Sequence, residues 1–173
     1  MENNLKDKKV LVLGFSTTGI AAAKYFTKKG AQVFVSESGE KLEKNAKKIE
    51  ELEKMGVKIE FKGHSEEFLN DAEFCILSPS IPPEAEVLNR LKTKGIEYFS
   101  DIEYVSRYEK DKMIVITGTN GKTTTTALVS HVLSQKFNAP YCGNIGISPL
   151  EYLDKGVDYF VIEASSYQLY YSP

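Results

Sequence analysis

The chain has 173 residues, 42% of them hydrophobic and 27% charged, with a formal net charge of −2. That length suits one domain or one and a half, and so even a charge balance offers no footprint for nucleic acid or an anionic membrane surface. Met1 to Lys9 is polar without an apolar signal core, and no run approaches the roughly 18 apolar residues of a membrane span; the sequence predicts a cytoplasmic chain with neither partner.

Lys9 to Leu13 is a short β-rich run ending at Gly14, and an amphipathic helix follows from about Thr18 to Lys29, closed by Gly30. A second strand, Gln32 to Ser36, leads to a charged helix from about Lys41 to Met55. Gly56 then opens a third strand at Val57 to Phe61. This alternation predicts right-handed βαβ crossovers and a parallel sheet. A fourth strand at Glu73 to Leu77 runs into the stiff loop Ser78-Pro79-Ser80-Ile81-Pro82-Pro83. A helix from about Glu84 to Lys94, a strand at Glu97 to Phe99 and a helix from about Ile102 to Tyr108 complete a first domain, residues 1–108.

The polar stretch Glu109 to Lys112 reads as the boundary. A second unit, residues 109–173, begins with a strand at Met113 to Thr117 and a helix from about Lys122 to Gln135. It continues with a short strand near Ala139 to Cys142, the turn Gly143-Asn144-Ile145-Gly146 and a strand at Asp158 to Glu163. Three strands are fewer than a nucleotide-binding α/β domain normally has. The fold class expected is therefore α/β: a Rossmann-like parallel-sheet domain followed by a truncated P-loop ATPase domain.

Cys75 lies in an apolar run and reads as a small buried hydrophobe, whereas Cys142 adjoins a glycine-rich turn where it could be exposed. Neither cysteine has metal or disulfide spacing. His64 in a loop and His131 inside a helix default to structural roles.

The strongest chemical signal is Val115-Ile116-Thr117-Gly118-Thr119-Asn120-Gly121-Lys122-Thr123-Thr124, an apolar strand feeding a Gly-rich turn that ends in Lys-Thr-Thr. Backbone N–H groups in such a turn and at the start of the following helix make an anion cradle. Lys122 would neutralise β- and γ-phosphates, and the Thr123 hydroxyl would coordinate Mg²⁺. Only Thr119 and Asn120 separate Gly118 from Gly121, a shorter loop than the general pattern, which has four residues between its glycines.

Gly14-Phe15-Ser16-Thr17-Thr18-Gly19 occupies the first strand-to-helix turn, where a doubly wound sheet places nucleotide phosphates. It lacks the middle glycine that lets a backbone approach a dinucleotide pyrophosphate. Hydroxyls of Ser16, Thr17 and Thr18 could bind a diphosphate instead, and Glu37, at the end of the second strand, could meet a ribose or base. By itself this turn is ambiguous between NAD, another ligand and a structural role. Glu163 ends the apolar strand Tyr159 to Ile162, where a carboxylate can hold Mg²⁺ beside a phosphate loop. It opens a hydroxyl-rich segment containing Ser165 and Ser166, at the strand end where ligands dock.

In this order, Gly-Phe-Ser-Thr-Thr-Gly, Ser-Pro-Ser-Ile-Pro, Gly-Thr-Asn-Gly-Lys-Thr-Thr, Gly-Asn-Ile-Gly and Glu-Ala-Ser-Ser-Tyr-Gln-Leu cover the whole chain. The series resembles the Mur ligases, and among them the D-glutamate-adding members. The resemblance implies ATP-dependent amide formation in peptidoglycan synthesis, with Mg²⁺. ATP phosphorylates the carboxylate of UDP-N-acetylmuramoyl-L-alanine, and the amine of D-glutamate attacks the acyl phosphate. By the same resemblance, Lys122 and Glu163 are catalytic and Thr123 and Glu163 hold the metal, while the loop Gly118 to Thr124 binds ATP. Ser16, Thr17, Thr18 and Gly19 would hold the UDP diphosphate, Ser36, Glu37 and Ser38 would lie near the uracil, and Asn144 would reach the sugar-diphosphate; Ser80, Ser165 and Ser166 are further substrate-binding candidates.

Two departures stand out. Ser80 replaces the glycine usual after Ser-Pro, where the backbone would approach the UDP moiety. The chain also stops before the modified lysine and the histidine that serve the metals in the family, and before the amino-acid-binding domain; it is expected to be a fragment, inactive alone. The alternatives are a non-catalytic nucleotide-binding module and an NAD-dependent oxidoreductase.

Overall fold

The computed structural model describes residues 5–109 and 112–172. It divides into two compact units, Met1–Phe99 and Ser100–Pro173. Lys110 and Asp111, in the expected boundary stretch, lie outside the described residues, as do residues 1–4 and Pro173. Among the described residues, no helix is long and apolar enough to cross a membrane.

The first unit is built on β1 (Lys9–Leu13), β2 (Gln32–Ser36), β3 (Lys58–Glu60), β4 (Phe74–Leu77) and β5 (Glu97–Ser100), in the order β3-β2-β1-β4-β5. The pairings of β1 with β2 and β4, and of β2 with β3, are parallel. Val10 to Leu13 and Phe74 to Leu77 are buried throughout, the continuous apolar pattern of strands covered on both faces. From β1 the chain winds outward to β3, then returns to β4 on the other side. A topological switch point therefore lies at the carboxyl ends of β1 and β4, where ligands enter open α/β sheets.

α1 (Thr17–Lys28) starts where the Ser16 side chain accepts from Gly19 N at 3.2 Å, an N-cap that satisfies an otherwise orphaned donor. It buries Ala21, Ala22, Ala23 and Phe26. Full burial of a side chain such as Phe26 contributes about 1.5–3 kcal/mol. Gly19 is required by packing: a Cβ there would lie 2.1 Å from the Gly14 carbonyl oxygen.

The helix expected from Lys41 to Met55 is shorter, with a 3₁₀ turn at Glu43–Asn45 followed by α2 (Ala46–Lys54). Only Ile49 and Leu52 are buried in α2, and the charged residues before it have no apolar face with which to dock a longer helix. A four-residue helix absent from the sequence reading, α3 (Glu66–Leu69), is capped by Ser65 and buries Phe68 and Leu69. α4 (Glu86–Thr93) packs Val87, Leu88 and Leu91 inward.

The second unit holds α5 (Asp101–Glu109), β6 (Met113–Ile116), α6 (Lys122–Leu133), β7 (Tyr141–Gly143), a 3₁₀ turn at Pro149–Glu151, β8 (Phe160–Glu163) and α7 (Ser166–Tyr170). Among the described residues its sheet has three parallel strands, ordered β6-β8-β7. β8 is central and fully buried, which brings the end of β8 beside the Gly-rich turn leaving β6. The sequence grouped α5 with the first domain, whereas in the structure α5 falls in the second unit, where the Asp101 carboxylate is bonded to Ser148 and Gln168 and Ile102, Tyr104 and Val105 are buried.

Candidate nucleotide-binding site

The turn between β6 and α6 is shaped by Gly118 and Gly121, with φ of 149° and 74°. Gly121 is the left-handed N-cap of α6, a conformation that excludes most side chains. The first N–H groups of the helix have no intrahelical partners and carry the positive end of its dipole. Lys122 Nζ donates to the Gly118 carbonyl at 2.8 Å, which holds the ammonium over the turn. Helix end and ammonium together make this the anion-attracting corner of the unit.

Thr123 Oγ1 donates to Glu163 Oε2 at 2.6 Å, and Asn144 Nδ2 donates to Glu163 Oε1 at 3.0 Å. Glu163 is 3% exposed, and donors on both oxygens offset the cost of burying a carboxylate. Asn144 N also donates to the Glu163 carbonyl at 2.8 Å. β7 approaches β8 so closely that a Cβ on Gly143, whose φ is 97°, would lie 2.2 Å from that same oxygen.

These elements enclose a cleft of about 440 Å³ lined by Thr117, Gly118, Thr119, Lys122, Asn144, Ala164, Ser165 and Ser166. Asn120, Gly121, Thr123 and Thr124 belong to the same turn and helix start but not to the lining. Thr117 and Ala164 belong to the quoted motifs but are not among the site candidates; they line the cleft as well. Among the described residues no three His, Cys, Asp or Glu side chains gather as a metal site of their own. A hydroxyl and one carboxylate instead suit Mg²⁺ held jointly with phosphate oxygens and water, and the nearby ammonium suits the phosphate charge.

In the first unit, Ser16 Oγ and Ser78 Oγ are 2.7 Å apart across the switch point, and Ser78 Oγ donates to the Gly14 carbonyl at 3.2 Å. The β1–α1 turn is thereby tied to the loop that carries Ser80, which is exposed, as is Thr17; Thr18 and Gly19 are buried. Glu37 Oε2 accepts from Phe15 N at 2.7 Å, and Glu37 Oε1 accepts from Gly39 N at 2.8 Å and from Ser38 Oγ at 3.3 Å. Burial pushes this carboxyl up, but those donors outweigh it and hold Glu37 below the usual range.

Ser36, a uracil-site candidate by resemblance, is fully buried. Its hydroxyl is engaged by Glu60 at 2.5 Å, His64 Nδ1 at 2.6 Å and the Gly63 carbonyl at 3.1 Å. Glu37 and Ser38 are the accessible polar groups at the end of β2. The His64 imidazole is held below its ordinary value, chiefly by burial and against the pull of Glu60.

Cys142 is buried rather than exposed, because β7 places it against β8, and burial pushes its thiol up to about 12. Cys75 is buried as expected. Asp101 drew no attention in the sequence; it is fully buried at the start of α5, and burial raises its carboxyl against hydrogen bonds from Ser148, Gln168 and Ile102 N.

Comparison with known proteins adds the family. The Mur ligase MurD-like N-terminal domain matches residues 8–100, and the Mur ligase middle domain matches residues 116–172. A UDP-N-acetylmuramoylalanine–D-glutamate ligase of Pelodictyon phaeoclathratiforme is 43% identical over 98% of this chain and 37% of its own length. One of Caldicellulosiruptor saccharolyticus is 36% identical over 96% of this chain and 38% of its own length. The chain thus spans a little over a third of the length of these curated relatives. The crystal structure of a UDP-N-acetylmuramate:L-alanyl-γ-D-glutamyl-meso-diaminopimelate ligase from Neisseria meningitides shares the fold, with TM-score 0.57 and 20% identity over 91% of this chain and 52% of that one. A pseudomurein peptide ligase type C from Methanothermus fervidus aligns with TM-score 0.50 and 28% identity over 78% of this chain and 27% of that one. With one family domain covering more than half of its residues and a second following in order, this chain belongs to the Mur ligases.

Proposed function

We propose that the chain forms the UDP-binding and phosphate-loop portion of a UDP-N-acetylmuramoylalanine–D-glutamate ligase, an ATP-dependent enzyme of peptidoglycan precursor synthesis. The observation that carries this reading is the 2.6 Å bond from Thr123 in the phosphate loop to Glu163 at the end of β8. It joins the two groups that a Mg²⁺-nucleotide site needs side by side.

In this reading the Gly118–Gly121 turn and the start of α6 receive phosphate oxygens, and the Lys122 ammonium neutralises charge on them. Thr123 and Glu163 would hold Mg²⁺, while the Asn144 amide keeps the Glu163 carboxylate oriented. When bound, Mg²⁺-ATP supplies the phosphoryl group that turns the poorly electrophilic alanyl carboxylate into an acyl donor for D-glutamate. The first unit would bind the UDP end of the substrate through Ser16, Thr17, Thr18 and Gly19, with Glu37 and Ser38 beside the nucleoside.

Ser16 stands where a dinucleotide turn has its middle glycine, and its side chain both caps α1 and meets Ser78. That substitution favours a UDP ligand over NAD. Calorimetric titration of the chain tests the reading: UDP-N-acetylmuramoyl-L-alanine and Mg²⁺-ATP should bind and NAD⁺ should not. Binding of NAD⁺ without either of the others would replace it with the oxidoreductase alternative.

A further inference from the structure

Asp101 takes no part in the phosphate-loop chemistry, yet its carboxylate is the buried junction of two segments that reach the cleft. Oδ2 accepts from Ser148 Oγ at 2.7 Å, and Oδ1 accepts from Gln168 Nε2 at 3.4 Å. Ser148 and Gln168 are 2% and 1% exposed, so neither polar group has water as a ready substitute partner. On one side, Ser148 directly follows the turn that carries Asn144, a turn closed by the 2.7 Å bond from Gly143 N to the Ile147 carbonyl. On the other, Gln168 Oε1 accepts from Ser165 N at 3.1 Å, and Gln168 N donates to Ser165 Oγ at 3.2 Å. This reciprocal box fixes the start of α7, where Ser165 and Ser166 line the cleft.

We propose that Asp101 is a positioning residue for the nucleotide cleft, setting Asn144 through Ser148 and Ser165 and Ser166 through Gln168. A carboxylate suits the place because it accepts on both oxygens, and both of these partners donate to it. An apolar residue would leave two buried donors unpaired. An amide would accept on one side only: with its oxygen kept on Gln168 and Ile102 N, it presents N–H₂ to Ser148, whose hydroxyl must turn away and give up its bond to residue 101 as a donor.

The proposal rests on the nucleotide reading above, and its test separates the two. Asp101→Asn, Gln168→Glu and the double variant would be compared with the unaltered chain by thermal unfolding, by calorimetric affinity for Mg²⁺-ATP, and by amide resonances of Asn144, Ser165 and Ser166. The double variant reverses the polarity of the 101–168 bond, at the cost of the 3.0 Å bond that Ile102 N makes to the same oxygen of Asp101, while the carboxylate introduced at position 168 can still accept from Ser165 N. The expected result is a loss of roughly tenfold in affinity in each single variant, with displaced cleft resonances, and partial recovery of both in the double variant, which restores the 101–168 bond but not the one from Ile102 N. Ser148→Ala, which adds no bulk, stands in for Asp101→Asn should that variant not fold, and should displace the Asn144 resonances more than those of Ser165. A lower melting temperature with unchanged affinity and unmoved cleft resonances would make Asp101 a stability residue only and overturn the proposal. If the unaltered chain binds no Mg²⁺-ATP, the nucleotide reading falls and the resonances alone decide the positioning role.

Discussion

Thr123 and Glu163 are separated by forty residues of sequence and joined by a hydrogen bond of 2.6 Å. The parallel pairing of β6 with β8 sets Ile116 opposite Glu163, so the Gly-rich turn and the carboxylate leave adjacent strands at the same level. Glu163→Gln keeps the volume and can still accept from Thr123, but loses the charge that Mg²⁺ requires. The expected outcome is a folded chain whose nucleotide affinity no longer rises on adding Mg²⁺. An undiminished Mg²⁺ response in calorimetry would remove Glu163 from the metal site.

Lys122 carries the charge that no neighbour in the turn duplicates. In a ligase of full family length, Lys122→Ala should lower turnover by the equivalent of about 3–4 kcal/mol, the cost of removing a comparable transition-state stabiliser. Phosphate release with both substrates present measures it. Turnover within a factor of ten of the parent would take Lys122 out of the catalytic set.

Two glycines report on the two units separately. A Cβ at Gly19 would collide with the Gly14 carbonyl and one at Gly143 with the Glu163 carbonyl. Backbone atoms cannot yield as a flexible side chain does, so each Gly→Ala change should cost about 1–3 kcal/mol. In urea unfolding, Gly19→Ala should destabilise the first unit and Gly143→Ala the second. Gly143→Ala should also displace the Asn144 resonances.

His64 should make the stability of the first unit depend on pH. Its folded value is depressed, so between that value and the ordinary one of about 6.5 the unfolded chain binds the extra proton and the folded chain does not. Stability should therefore fall as pH drops through that window. Around the ring, Glu60 and Glu37 favour the proton and Arg90 opposes it, while burial dominates. His64→Gln should flatten the dependence of unfolding free energy on pH between 7 and about 5.5. Equal slopes in the two proteins would contradict this account.

Helix α6 of the second unit is thinly packed. α6 buries only Thr126 and Ser130, while Leu128 and Val132 on it are 59% and 60% exposed. In dilute monomer, amides from Met113 to Ser172 should exchange faster than those from Val10 to Phe99. Equal and strong protection of both halves would show that three strands suffice.

What the sequence made legible was local. β1 and β2 have the residue limits expected because their apolar runs end at Gly14 and Glu37. The Gly-rich turn between β6 and α6 could be located because its glycines, lysine and threonines are contiguous. What stayed hidden depends on distant partners: Asp101 meets Ser148 and Gln168 across 47 and 67 residues, and nothing local marks it as a junction. The same holds for Ser36, whose burial follows from Glu60 and His64 closing over the end of β2, and for Cys142, whose burial follows from the pairing of β7 with β8.

The most direct test of the account is a resonance-by-resonance titration of the chain with UDP, then with Mg²⁺-ATP. UDP should displace signals at Ser16 to Gly19, Glu37 and Ser38, and Mg²⁺-ATP those at Gly118 to Thr124, Asn144 and Ser165. If UDP perturbs neither the turn after β1 nor the end of β2, or if Mg²⁺-ATP leaves the phosphate loop unmoved, the two-site reading of this ligase portion is contradicted.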